Sequence, residues 1–261
     1  MKVGNGWPRC VDRYQMRLSI ELLDHILSFL QSDPVSLEGC HKSHPLLSQL
    51  AERHQFTHVI LNDFENPELP SKFMKFIHRH LHIATYVRSI EITVAKYSPE
   101  LSSILPMMTL LKKVKFNGLR WQEIPQHFRQ AFLDCTHLPS MKDVSIGRLS
   151  DFPLFALNNI KRLTLGQWQD DEYPPNTSID DRVAHKFQLE SLSLTGFEPE
   201  SLQKVITWVP PSTLRSLDIS GHKFPYKWLM PLLDNCSNSL TDLRLNLRWE
   251  CASCLSLSPT L

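Results

Sequence analysis

The residues best suited to bind a metal ion are two closely spaced pairs of side chains. Cys251 and Cys254 have the CxxC spacing of zinc and redox sites, and His78 and His82 would share one helix face at positions i and i+4. A zinc site built on the cysteines needs a second ligand pair, and none follows before Leu261. No third ligand accompanies the histidines, which favours a solvated helix face. We therefore expect no metal site.

Motifs that would supply a nucleophile, a general base or a phosphate-binding loop are not found. The sequence contains no HExxH motif, no GxSxG motif and no glycine-rich loop that could hold a phosphate. The three adjacent acids Asp170, Asp171 and Glu172 could mimic a paired-carboxylate site, but their proline-flanked segment offers no burial that would shift a pKa. We expect no catalytic residue and no cofactor, and hence a protein that is not an enzyme.

The overall composition is that of an ordinary globular protein and names no partner. The 261 residues carry a formal net charge of +1, with 42% hydrophobic and 21% charged residues. A local basic group, Lys72, Lys75, Arg79 and Arg88, lacks a nucleic-acid motif, so we favour solvated surface over RNA contact. Export signals and long apolar runs are missing, and the six cysteines are scattered except for the pair Cys251 and Cys254. We expect reduced thiols, no membrane partner, and a location in the cytoplasm or nucleus.

An amphipathic segment near the N-terminus has a wide apolar face. In LSIELLDHILSFL, residues 18–30, the polar side chains fall on one arc of a helix. The apolar side chains cover roughly half of the circumference, more than the about 100° stripe of a surface helix. Two interpretations are open: the whole apolar surface packs in the core of its own module, or part of it is left for a partner protein. The short segments that follow favour the second interpretation.

Local signals divide the first part of the chain into three helices. Ser19 can cap the first helix, Asp33 followed by Pro34 begins the second, and Pro45 begins the third. Together they would form a small module that is only marginally stable alone. The predicted segments are a flexible N-terminus at 1–15 and a three-helix module at 16–55 with helices at 19–31, 34–42 and 45–53.

A short phrase of the form apolar-x-x-apolar-x-apolar returns eight times after residue 56. Its period-two alternation predicts a short strand with one buried and one exposed side. Single glycines follow five of the phrases and indicate sharp turns with positive φ. The phrases are 19 to 31 residues apart, and their central residues are Val59, Ile90, Val114, Val144, Leu163, Leu192, Leu217 and Leu243.

Helical segments are predicted between the strands, so the repeating unit is a strand followed by a helix. One unit cannot bury its own apolar face, but stacked units form a continuous core. An insert at 169–182 carries five acidic residues and is expected to be a mobile loop, and residues 249–261 are expected to fray. We expect Trp121, Trp168, Trp208 and Trp228 in the core. The predicted helices are 71–83, 101–108, 126–135, 199–209 and 226–235.

The N-terminal segment resembles the F-box motif over about residues 16–56. The resemblance rests on LSIELLDHILSFL, on the segment Asp33-Pro34-Val35-Ser36-Leu37, and on Cys40 and Ser43, with Ser19 where the family usually has Pro. F-box motifs bind the adaptor subunit of SCF-type cullin–RING ubiquitin ligases, so the resemblance implies that this module docks such an adaptor. The interface residues that it implies are Leu18, Leu22, Ile26, Leu30, Val35, Leu37 and Cys40, with Glu21 and Ser43 as further motif matches.

Residues 56–248 resemble leucine-rich-repeat domains, which are common companions of F-boxes. The resemblance rests on the eight phrases, although the inward Asn of the family is mostly missing, with Leu149 and Trp168 near its position. It implies an α/β fold, an irregular solenoid with parallel strands on the concave side and helices on the convex side.

Together the two resemblances imply a substrate-recognition adaptor whose repeats bind a substrate protein. The alternative is a free-standing leucine-rich-repeat interaction or inhibitor protein with no ubiquitin link, in which the N-terminal helices only cap the solenoid. The outward strand residues are the candidates for substrate contact, although solubility alone would also require polar side chains there. These candidates are Glu91, Thr93, Lys113, Lys115, Asp143, Ser145, Arg162, Thr164, Ser193, Asp218, Asp242 and Arg244.

Overall fold

The chain divides into two compact units, Met1–Gln55 and Phe56–Leu261. The computed structural model describes residues 18–94, 97, 99–118, 121–147, 152–153, 157, 159–166, 188–196, 212–221 and 226–247, apart from the side chains of 226–228 and 247. Several predictions fall outside these residues and concern the N-terminus at 1–15, the acidic insert at 169–182, the helix at 199–209, the tail at 249–261, Leu149, Trp168, Trp208 and the side chain of Trp228.

The first unit contains three helices with well-defined starts. Ser19 Oγ accepts a hydrogen bond from the Leu22 N–H at 3.2 Å, and Asp33 Oδ1 accepts one from the Ser36 N–H at 3.1 Å, so both predicted caps are present. The first helix ends at Ser28, three residues before its predicted end, because the following N–H groups bond to carbonyls only three residues back and tighten the chain. The helices are α1 Ile20–Ser28, α2 Pro34–Ser43 and α3 Pro45–Gln55.

The second unit contains an all-parallel sheet of eight strands. Each strand pairs with the next along the chain, so the order in the sheet is the order in the sequence, with β1 and β8 at the edges. The predicted strand centres are in register: Val59 lies opposite Ile90, Ile90 opposite Val114, and this continues to Leu243. The strands are β1 His58–Asn62, β2 Ser89–Thr93, β3 Lys113–Asn117, β4 Asp143–Gly147, β5 Arg162–Gly166, β6 Ser191–Thr195, β7 Ser216–Gly221 and β8 Asp242–Leu247.

Helices lie between several of the strands. The single helix predicted at 71–83 is wrong, because the backbone leaves the helical conformation at His80, with φ −131° and ψ 61°, which lets Ile77 and Ile83 pack in one buried cluster. In the part of the chain that the structure describes, no helix is long and apolar enough to traverse a bilayer. The helical elements are α4 Leu69–Arg79, α5 Leu81–Ala84, α6 Glu100–Ile104, α7 Gln126–Thr136, α8 Tyr226–Cys236 and the 3-10 turns Leu105–Met107 and Trp121–Glu123.

Alternate strand residues and helix side chains form the core of the second unit. Phe116 of β3 packs against Phe128 of α7 with ring centroids 5.5 Å apart, and Trp121 packs edge-on against Phe152 at 4.7 Å. All four side chains are buried, as predicted for Trp121. In β1 to β7 burial of one side chain set leaves the other set on the opposite face of the sheet, whereas Leu243 and Leu245 of the edge strand β8 are 42% and 44% exposed.

The glycines that follow the strands differ in conformation. Gly118 and Gly196 have φ of 118° and 68°, so the predicted positive-φ turns are present there. The prediction is wrong for Gly147, Gly166 and Gly221, which end strands and continue the ladder in extended conformation. At Gly118 an added Cβ would also lie 1.9 Å from the Val94 carbonyl oxygen, so close backbone approach requires glycine.

Candidate protein-interaction surfaces

One side of α1 forms the core of the first unit. Leu27 is buried, and the neighbouring turns contribute Leu23 and Leu30 to the same cluster. These side chains pack against Leu37 of α2 and Leu50 of α3. About one third of the circumference of α1 is therefore used to hold the bundle together.

A second apolar side of α1 lies in solvent, and we call it the α1 apolar face. Its members Leu18, Leu22, Ile26 and Phe29 recur every three or four residues and fall within about 80° of one another at 100° per residue. Their exposed fractions are 42%, 44%, 44% and 71%. An exposed apolar stripe directly beside a buried one gives α1 more apolar surface than its own unit covers.

The residues that the F-box resemblance implies at an adaptor interface differ in their exposure to solvent. Leu18, Leu22 and Ile26 lie on the α1 apolar face, and Val35 at the start of α2 is 79% exposed. Two others, Leu30 and Cys40, are half-buried against the core of the bundle.

Leu37 requires a correction to this set. Only 2% of it is exposed, because it fills the bundle core beside Leu27, so it supports the surface without forming it. Phe29 is the member of the α1 apolar face that is missing from the interface residues implied by the F-box resemblance. The i, i+4, i+7 spacing of Leu22, Ile26 and Phe29 is the signal that would have found it.

A polar network fixes which side of α1 faces the core. His54 of α3 donates from Nε2 to Asp24 Oδ1 of α1 at 2.9 Å, and its Nδ1 lies 2.8 Å from Gln31 Nε2. Arg53 lies 3.8 Å from the second oxygen of Asp24. At the helix start, hydrogen bonds from the backbone N–H of Glu21 and from the Ser19 hydroxyl lower the pKa of the Glu21 carboxyl. Rotation of α1 that would bury its apolar face would break the contacts to His54.

The second candidate surface is the outward face of the sheet, which we call the strand face. Its central row contains one residue from each of the eight strands, and these residues lie in register. The middle of the row is formed by the hydroxyl residues Ser145, Thr164 and Ser193, and charged residues lie on both sides of them. Ion pairs join neighbouring strands, with Glu91 to Lys115 and Asp143 to Arg162 both at 2.6 Å. The central row is Ile60, Glu91, Lys115, Ser145, Thr164, Ser193, Asp218 and Arg244.

Strand alternation brings the predicted substrate-contact residues together on the strand face. All of them are half-buried or exposed, but several of the charges already have an ion-pair partner within the sheet. The hydrogen bond that Arg162 donates to the Asp143 carboxylate raises the pKa of the Arg162 guanidinium, and Arg244 lies 3.3 Å from Asp242. Because these charges already have partners, they add little net attraction for a binding partner. They can still help to orient and select it. The predicted residues on this face are Glu91, Thr93, Lys113, Lys115, Asp143, Ser145, Arg162, Thr164, Ser193, Asp218, Asp242 and Arg244.

An apolar element at the β1 edge was not predicted. Ile60 is in the central row and 54% exposed, and Phe64 just after β1 is 62% exposed. The phrase THVIL carried the signal, since Ile60 stands at a position where the other phrases have a polar residue. The edge of the strand face at β1 is therefore more apolar than its middle.

The two histidines considered as metal ligands do not share the one helix face that the sequence had suggested. His78 and His82 lie on different helices, α4 and α5. In the described ranges, no group of three His, Cys, Asp or Glu side chains could hold a metal ion. The pair Cys251 and Cys254 lies outside those ranges, as do the acids at 170–172.

Two buried thiols that the structure describes, Cys135 and Cys236, should be unreactive. Burial raises the pKa of Cys135 to about 12, with the nearby Asp134 carboxylate as a second cause, and burial also raises the pKa of Cys236. The Cys135 thiol lies 3.5 Å from the Leu105 carbonyl oxygen. Both thiols stay protonated near neutral pH, so neither is a nucleophile.

Comparisons with known proteins do not identify this chain: no protein-family model matches it, and no curated protein matches it.

Proposed function

We propose that this protein is a substrate-recognition adaptor of an SCF-type cullin–RING ubiquitin ligase. The observation that supports the proposal most directly is the α1 apolar face. On this face Leu22, Ile26 and Phe29 are exposed to solvent, while the core of the first unit is formed by other side chains. Amphipathic helices with such a free stripe dock into apolar grooves of partner proteins. The F-box resemblance of the same segment identifies the partner as the adaptor subunit of the ligase.

In this proposal the second unit binds a substrate protein through the strand face. Strands lie on the concave side of an irregular leucine-rich-repeat solenoid and helices on its convex side. Holding the substrate near a ubiquitin-charged enzyme raises its effective concentration, so the chain needs no catalytic residue and no cofactor. Such a protein acts in the cytoplasm or nucleus and has neither a membrane nor a nucleic acid as its main partner.

The experiment that tests the proposal is co-purification with the ligase adaptor. Leu22→Asp combined with Ile26→Asp places two charges on the α1 apolar face. Because a charge in an apolar interface loses its hydration without a partner, adaptor recovery should fall by about tenfold or more. Both side chains are nearly half exposed, so the bundle should keep its helical circular dichroism.

The matched control places the same charges on exposed apolar residues of the second unit. Leu81 and Leu110 are 60% and 44% exposed, so Leu81→Asp with Leu110→Asp should leave recovery of the adaptor unchanged. Equal loss in both double variants would contradict docking by α1.

A free-standing repeat protein is the second candidate, and the continuous eight-stranded strand face favours it as much as it favours a substrate receptor. Wild-type protein that recovers no ligase adaptor, yet retains another partner after the α1 substitutions, would support this candidate instead.

A further inference from the structure

A row of four basic residues lies at the amino-terminal edge of the sheet, each one residue before a strand begins. Arg88, Lys112, Lys142 and Lys161 precede β2, β3, β4 and β5, and we call these four residues the basic strip. Backbone hydrogen bonds tie them into one ladder, from Lys112 N to Arg88 O at 2.8 Å, and from Lys142 N to Lys112 O and Lys161 N to Lys142 O at 2.9 Å. Parallel register thus aligns four cations that the sequence separates by 19 to 30 residues.

The strip carries a large local excess of positive charge. The first residues of β3 and β5, Lys113 and Arg162, add two more cations, whereas Asp143 is the one acid among the strip and the first residues of these four strands. Asp143 is paired with Arg162 at 2.6 Å. The whole chain has a net charge of only +1, so this edge concentrates positive charge that the rest of the sequence offsets.

Several of these cations have no acidic partner in the described part of the chain. Lys112, Lys113 and Lys142 are exposed and form no ion pair there. Lys161 is paired with Glu190 at 2.6 Å, and this acid ends the strip on the β6 side. Like charges placed on adjacent strands repel one another, so a ligand that neutralises them relieves a cost that the free protein carries.

We propose that the basic strip binds an acidic, extended segment of a partner polypeptide. Three strand spacings of about 4.8 Å give the strip a length of about 14 Å, which matches four or five residues of an extended chain at about 3.3 Å each. A lysine ammonium group acts as a point charge and can bind carboxylates that approach from several directions. This property suits a flexible acidic segment. Taking this segment as part of the protein that the second unit binds rests on the proposed function.

An acidic polypeptide fits the strip better than a nucleic acid. The strip and the first residues of its strands include no aromatic side chain on which a base could stack. Asp143 lies among the cations and Glu190 lies beside Lys161 at the end of the strip, and both would oppose a continuous phosphate backbone, while separate carboxylates can avoid them. The near-zero net charge also removes the long-range attraction that nucleic-acid binders commonly use.

The test is a titration of the full-length protein with labelled peptides in fluorescence anisotropy. The acidic probe alternates Glu and Ser, and the control probe has Gln in place of every Glu. We expect saturable binding of the acidic probe alone, weakening steeply as salt rises from about 50 to about 500 mM. Lys112→Glu with Lys142→Glu should weaken this binding by about tenfold or more, since two attractive sites become repulsive.

The matched control reverses two exposed charges elsewhere. Lys75→Glu with Arg79→Glu on α4 makes the same change in net charge, and binding should change less than about twofold. A second variant, Lys112→Gln with Lys142→Gln, removes the two positive charges without adding negative ones. It should also bind the acidic probe more weakly. This variant controls for misfolding that the charge-reversing substitutions could cause.

Three results would overturn the proposal. They are equal loss in the α4 control, unchanged binding in both strip variants, or tighter binding of an oligouridylate with the same number of charges than of the acidic peptide. Capture of the ligase adaptor depends on α1 and is measured separately, so failure of either experiment leaves the other informative.

Discussion

His54 of α3 donates a hydrogen bond from Nε2 to Asp24 Oδ1 of α1 at 2.9 Å, and this contact joins the first and last helices of the N-terminal unit. The imidazole side chain is only 8% exposed, and the Gln31 side chain meets its other nitrogen at 2.8 Å. Because both ring nitrogens are engaged, His54 locks the rotation of α1 about its axis. Leu27 is thereby directed inward and Ile26 outward.

Removing this contact should loosen the bundle. His54→Ala leaves the partly buried Asp24 carboxylate without its His54 donor and removes the contact to the exposed Gln31 side chain, which costs about 1–3 kcal/mol of the free energy of unfolding. Urea denaturation followed by circular dichroism measures the loss. Gln49→Ala, an exposed change on the same helix, should stay within about 0.5 kcal/mol of wild type. An equal effect of the two substitutions would show that the contact does not hold α1.

Leu37 and Val35, one buried and one exposed, should differ in their effect on stability. Leu37→Ala opens a cavity in the core and should lower the free energy of unfolding by about 2–5 kcal/mol. Val35→Ala removes exposed surface and should change it by less than about 0.5 kcal/mol. The same urea experiment compares both. A stable Leu37→Ala variant would contradict the core position of this side chain.

Gly118 should be the least replaceable of the strand-end glycines. Gly118→Ala combines a positive φ with a Cβ 1.9 Å from the Val94 carbonyl oxygen, so the backbone must shift. We expect a loss of about 1–3 kcal/mol in unfolding free energy. Gly166→Ala is the control, since its Cβ would meet the nearest atom at 3.6 Å, an ordinary contact. Thermal unfolding that ranks the two variants in the opposite order would refute this account.

Cys135 should resist alkylation in the folded protein. Its pKa is raised to about 12, so almost no thiolate forms at pH 8. We expect iodoacetamide followed by peptide mapping to modify Cys135 only after denaturation, with half-buried Cys40 as an internal comparison. Rapid native labelling of Cys135 would contradict its burial.

The same thiol adds a pH dependence to stability. Because burial favours the protonated form, the folded pKa lies above the unfolded value of about 8.5. This contribution is complete below that value and is lost as pH rises towards about 12. Cys135→Ser should therefore flatten the alkaline decrease in stability. An unchanged alkaline slope would exclude Cys135 as its source.

Local patterns in the sequence predicted most of the elements. Ser19 and Asp33 cap the helices that their positions indicated, and the eight phrases form eight strands whose centres, from Val59 to Leu243, lie in register. These predictions succeed because capping and period-two alternation depend on residues only a few positions apart. The break at His80 was missed, because it depends on packing of Ile77 and Ile83 and not on a local helix stop.

The sequence by itself determined that α1 has a wide apolar circumference and that the strands have one polar side, since both follow from residue spacing along one element. Only the tertiary structure decided that Leu37 is core and Phe29 is surface, because α2 and α3 choose which part of the apolar arc they cover. It alone also aligned Arg88, Lys112, Lys142 and Lys161, since parallel register places residues from distant segments side by side.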